Sequence, residues 1–152
     1  MAISPRYTSA DLELLPDVEG VRYEIIDGEL YVTRQPHAGH QYTTSAFVSE
    51  LRQWSMQSGA GVAMVAPGLV FAADNDVAPD VVWVSMQRLR NVLDDAGHFR
   101  AAPEIVVEVL SPGVIYEPAS FPLHEDNGVA VIGRMLKWMK KEPVLIAHLF
   151  VR

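Results

Sequence analysis

Apolar and polar residues alternate in two adjoining runs, Arg22-Tyr23-Glu24-Ile25-Ile26 and Glu29-Leu30-Tyr31-Val32-Thr33. Asp27-Gly28 between them suits the positive φ angles of a type I′ turn, so the pattern predicts an N-terminal β-hairpin. Upstream, Thr8 or Ser9 is placed to cap a short helix through Asp11–Leu15, which Pro16 closes. Residues 34–40 read as a polar loop. From Gln41 to Ser58 the period changes, because Phe47, Val48, Leu51 and Trp54 recur at helical spacing. That predicts an amphipathic helix ending before Gly59 and Gly61. Val62–Ala66 and Leu69–Ala73 read as strands around a Pro67-Gly68 turn, and Val81–Val84 as another strand. A short helix follows over Met86–Leu93, then a loop at 94–98, and Ile105–Leu110 is the most apolar strand of the chain.

Beyond Pro112 the texture changes. Residues 111–128 contain three prolines and two glycines without a period, which predicts a loop. Ile132, Met135, Leu136 and Met139 then recur at helical spacing before Pro143, and Val144–Val151 reads as a final strand. No internal repeat or domain boundary interrupts the pattern. The elements together predict one α/β (α+β) domain over residues 1–152, a mixed sheet flanked by helices.

Composition narrows this picture. A chain of 152 residues, 49% hydrophobic and 20% charged, suffices for one packed core. The absence of cysteine removes disulfides, thiolate metal sites and a cysteine nucleophile. The N-terminus lacks a signal-peptide core and no apolar run is long enough to span a bilayer, so a cytoplasmic protein without a membrane partner is expected. A formal charge of −7 argues against broad, non-specific nucleic-acid binding but not against an enzyme that meets phosphates through a metal ion. Arg88-Leu89-Arg90 and Lys137 with Lys140-Lys141 are the modest basic clusters.

The candidate chemistry lies in two acidic strand patterns, Ala78-Pro79-Asp80-Val81-Val82-Trp83-Val84 and Glu104-Ile105-Val106-Val107-Glu108-Val109-Leu110. Each sets a carboxylate in a run that reads as a strand buried on both faces, where an ionised group is costly unless paired or metal-bound. If the strands are neighbours, Asp80 and Glu108 can converge on one hard cation such as Mg²⁺. Alternatively, backbone amides or an arginine satisfy them. Glu24 either supplies a third carboxylate or lies on an exposed strand face. His40, opening the long helix, either positions a phosphate or water or is a capping or surface residue. His98, His124 and His148 lack metal-ligand spacing, Ser111 lacks a nucleophile elbow, and no P-loop or dinucleotide fingerprint is present. Trp54 and Trp138 fall on helical patterns and read as core or interface anchors.

Taken in order, Tyr23-Glu24-Ile25-Ile26-Asp27-Gly28-Glu29-Leu30, His40-Gln41, Pro79-Asp80-Val81-Val82 and Pro103 through Pro112 resemble the Uma2 (DUF820) family. The likeness runs from about Tyr7 to Gly113, and residues 114–152 diverge from it. It implies a restriction-endonuclease-like fold of the PD-(D/E)xK type and phosphodiester hydrolysis of DNA. By that resemblance Asp80 and Glu108 bind Mg²⁺ or Mn²⁺, the carbonyl of Val109 completes the shell, Glu24 supports it, and His40 lies nearby. A lysine would orient or deprotonate the attacking water. The strict motif carries it two residues after the second acid, where this chain has Leu110. The next lysine is Lys137, which stands as the displaced candidate. The missing lysine also admits another class of function, a catalytically inactive nuclease fold acting as a binding or assembly module. A third reading is a simple oligomerisation-competent domain whose buried acids are structural, in which Phe47, Trp54 and the exposed hairpin edge serve a homodimer. A homodimer is also the expected assembly of a nuclease, since cutting both strands of a duplex favours a two-fold pair.

Overall fold

The computed structural model describes residues 5–110, 117–118 and 145–150. Its elements in order are α1 (Ser9–Leu12), β1 (Arg22–Ile26), β2 (Glu29–Thr33), α2 (Ala38–Ser58), β3 (Gly61–Val65), β4 (Leu69–Ala72), β5 (Asn75–Val77), β6 (Val81–Ser85), α3 (Met86–Val92), β7 (Ile105–Leu110), β8 (Glu117–Pro118) and β9 (Leu145–Phe150). The predicted helix over Ile132–Met139, with Lys137 and Trp138, lies outside the described residues.

The hairpin forms where alternation and turn chemistry place it. Arg22 pairs with Thr33 and Ile26 with Glu29, and Asp27 and Gly28 take φ angles of 51° and 75°. α1 is shorter than predicted. The backbone N–H and hydroxyl of Thr8 both donate to Asp11 Oδ2, at 2.7 and 2.8 Å, and the helix stops at Leu12. α2 begins earlier than predicted, because His37 rather than His40 caps it: His37 Nδ1 accepts from the Gly39 N–H at 3.1 Å. Gly59, at φ 65°, ends it in the left-handed conformation that a residue without Cβ adopts freely.

The strands divide into two sheets rather than one. The first, in order β4-β5-β1-β2-β8, is antiparallel throughout. The second, β3-β6-β7-β9, is mixed, with β9 parallel to β7 and its other pairs antiparallel. Pro67-Gly68 therefore does not close a hairpin. It carries the chain from β3 in one sheet to β4 in the other. Ala78-Pro79-Asp80 carries it back, from β5 to β6. The two crossings touch, the Ala66 N–H donating to the Asp80 carbonyl at 3.1 Å.

β5 was not predicted, and Glu117–Pro118, placed in the predicted loop, pairs with β2 as β8. Both edges of the hairpin are thus covered, β1 by β5 and part of β2 by β8. Part of the edge expected to serve a dimer is therefore already paired within the chain. Of the other members of that expected surface, Phe47 is half-buried and Trp54 is 47% exposed.

The two sheets share one core, in which Ile26, Tyr31, Leu69 and Val77 of the first meet Val82, Val84 and Val106 of the second, with Phe99 and Val92 between. α2 lies on β3, with further contacts to β6 and β7. Its buried residues are polar, His40, Thr44 and Ser55, where the spacing predicted an apolar face. Ser55 explains itself: its Oγ accepts from Trp83 Nε1 at 2.8 Å and donates to the Leu51 carbonyl at 2.7 Å.

Candidate functional site

The register of β6 on β7 pairs Val81 with Val107. That pair ends the ladder; Asp80, in the bend just before β6, lies beside Glu108, and its charge acts on Glu108. The sequence enforces this. Pro79 restricts Ala78 to extended backbone, and the valine-rich runs that follow Asp80 and flank Glu108 bury both strands. Asp80 Oδ2 accepts the Val109 N–H at 2.8 Å and faces His40 Nε2 at 3.1 Å.

Glu24 reaches the same place from the other sheet. It sits on β1 beside β5, and its Oε1 accepts the Ala78 N–H at 2.8 Å, two residues before Asp80. Its Oε2 lies 3.5 Å from Arg22 Nε. The residue exposures are 6% for Glu24, 7% for Asp80, 6% for Glu108 and 9% for His40, so all four belong to the interior.

Three buried acids repel one another. Glu108 is held well above the usual carboxylate range, first by burial and then by the charges of Asp80 and Glu24; Arg22 offsets this only in part, and a hydrogen bond with Asp80 favours the protonated form. Glu24 is also raised, chiefly by burial, against the opposing pull of Arg22 and the Ala78 N–H. A proton or a cation relieves such a cluster.

Of the sequence-predicted residues, the structure brings together Asp80, Glu108, Val109, Glu24 and His40. Glu24 is not on an exposed face, and His40 is not the helix cap. Lys137 lies outside the described residues. Arg22 was overlooked, although a readable signal existed: it stands two residues before Glu24, hence on the same face of β1. Among the described residues no group of three or more His, Asp or Glu side chains is placed to hold a metal ion. Two carboxylates and a backbone carbonyl nonetheless suit a hard ion that keeps part of its water shell.

The chain matches the Uma2 family model, described as "Putative restriction endonuclease", over residues 9–134. That span extends past Gly113, where the motif resemblance ends. Among solved structures it is similar to one described as "a putative nuclease belonging to DUF820" from Anabaena variabilis ATCC 29413. The TM-score is 0.65 at 18% identity, over 94% of this chain and 73% of the other. At that identity the likeness carries the fold. No functionally curated protein matches the chain. Among the described residues, no helix is long and apolar enough to cross a membrane.

Proposed function

The chain belongs to the Uma2 family, and from that premise we propose that it is a nuclease-like protein hydrolysing DNA phosphodiesters with Mg²⁺ or Mn²⁺. The observation that carries this reading is the pair of buried acids Asp80 and Glu108, brought together just beyond the Val81–Val107 end of the β6–β7 ladder. Asp80, Glu108 and the Val109 carbonyl would hold the ion, as an all-oxygen set suited to a hard cation. When bound, such an ion polarises a phosphate oxygen and lowers the pKa of a water molecule. His40 orients Asp80 through the 3.1 Å contact, as partners of metal-binding carboxylates do. Glu24, both of whose oxygens already have protein partners, supports the site by holding the strand crossing at Ala78.

Lys137 is the proposed lysine of the motif, and two copies acting together would address both strands of a duplex. The direct test is Mn²⁺-dependent cleavage of a supercoiled plasmid. Wild type should nick or linearise it, and Asp80→Ala and Glu108→Ala should not. Cleavage that survives both substitutions overturns the reading.

One observation favours a second reading, an inactive binding or assembly module: Leu110 occupies the place of the strict motif's lysine. Under it, divalent cations leave the melting temperature unchanged and wild type cuts no substrate.

A further inference from the structure

The three lysines of this chain are Lys137, Lys140 and Lys141. All lie outside the described residues, so the permanent side-chain cations among the described residues are arginines. One of these arginines stands against the acid cluster. Arg22 and Glu24 leave β1 on the same face, and Arg22 Nε lies 3.5 Å from Glu24 Oε2. The Arg22 side chain is 35% exposed while that of Glu24 is 8%, so the arginine runs from solvent to the edge of the buried acids. Its charge reaches beyond its immediate partner, acting on Glu108 as well as on Glu24.

We infer that Arg22 is a phosphate-facing cation of this site, contributing from β1 a positive charge distinct from the water-orienting lysine role proposed for Lys137. The inference rests on the nuclease reading above. A guanidinium suits the task because it stays charged at any physiological pH and its planar fork matches two oxygens of a phosphodiester. Glu24 is then the positioning group. Pinned by the Ala78 N–H at 2.8 Å, it holds the guanidinium 3.5 Å away at the edge of the acid cluster. The arrangement also gives the unusual burial of Glu24 a purpose. An acid on an ordinary hairpin face would have no need to sit in the interior.

The test is binding of a fluorescein-labelled duplex oligonucleotide, followed by anisotropy across a salt series in Ca²⁺, for wild type, Arg22→Gln and Arg22→Lys. Calorimetry with Mn²⁺ on the same three proteins runs beside it. Arg22→Gln should weaken duplex binding about tenfold and reduce the log–log salt slope by about one, as loss of one phosphate contact does. Arg22→Lys should keep the slope and recover part of the affinity, and both variants should still take up Mn²⁺. Wild-type affinity and slope in Arg22→Gln would overturn the inference, as would weaker binding at an unchanged slope. Loss of Mn²⁺ uptake in both variants would also overturn it, by making Arg22 a structural partner of Glu24. If wild type itself takes up no Mn²⁺, the nuclease reading fails first, and the calorimetry shows that independently of the salt slope.

Discussion

The β6–β7 ladder carries a glutamate toward each end, and the two are treated in opposite ways. Near one end, Glu104 accepts the Ser85 hydroxyl at 2.6 Å and the Ser85 N–H at 3.1 Å. Burial pushes Glu104 up, but these donors and the nearby Arg88 outweigh it and leave the carboxyl below its usual range. Glu108, four residues along the same strand segment, meets Asp80 and Glu24 instead, and is driven well above that range by burial and by their charges. The side chain is the same in both places. What differs is whether the fold supplies donors or further acids. An acid with its own donors is part of the architecture, whereas Glu108 faces further acids, and it is there that the proposed cation would act.

The comparison breaks most completely at the acid-rich end. Glu108→Ala should abolish Mn²⁺-dependent plasmid cleavage, while Glu104→Gln should leave it near wild type; similar losses in both would erase the distinction between the two ends. His40→Ala, which removes one of the partners of Asp80 and leaves the Val109 N–H in place, should lower Mn²⁺ affinity by about 10–100-fold, read by titration calorimetry.

Proton linkage sharpens the contrast because its sign differs between the ends. Raised carboxyls such as Glu24 and Glu108 retain protons in the folded chain at pH values where the unfolded chain has lost them. Their contribution to stability is therefore full at low pH and falls as pH rises from the ordinary carboxylate range through the raised values. Glu104, held low, contributes in the reverse sense: its share is present above the ordinary range and is lost as pH falls. Melting temperatures measured against pH in a chelator should show the first effect in wild type and a flatter curve in Glu108→Gln; parallel curves would contradict it. The smallest effect belongs to the other end. Ser85 also caps α3, its Oγ accepting the Arg88 N–H at 3.2 Å, so Ser85→Ala should cost about 0.5–2 kcal/mol in denaturant unfolding with Mn²⁺ binding intact.

Much of this was legible in the residues, and the exceptions have physical reasons. The hairpin was readable to its ends because alternation and Asp27-Gly28 agree on one register. Asp80 and Glu108 were readable as a pair because a carboxylate inside a valine run has few explanations. β5 was not, since Asn75 and Asp76 make two of its three residues polar, and a strand that short has no period. The division into two sheets was hidden as well. Pro67-Gly68 looks alike whether the next strand turns back or crosses over, and only packing decides. Local pattern also could not show that Glu24 is buried. Its alternation marks one face of β1, but the strand crossing at Ala78–Asp80 is what covers that face. Part of the polar inner face of α2 was hidden in the same way: Trp83 reaches across from β6 to give Ser55 a partner, and Asp80 pairs with His40, neither of which helical spacing can reveal.

The central claim is that Asp80 and Glu108 together hold a divalent cation, and calorimetric titration of Mn²⁺ into wild type and Asp80→Ala, side by side, tests it most directly. The account predicts saturable heat in wild type that disappears in the variant while the variant still melts cooperatively. Equal heats in the two proteins, or none in wild type, would contradict it.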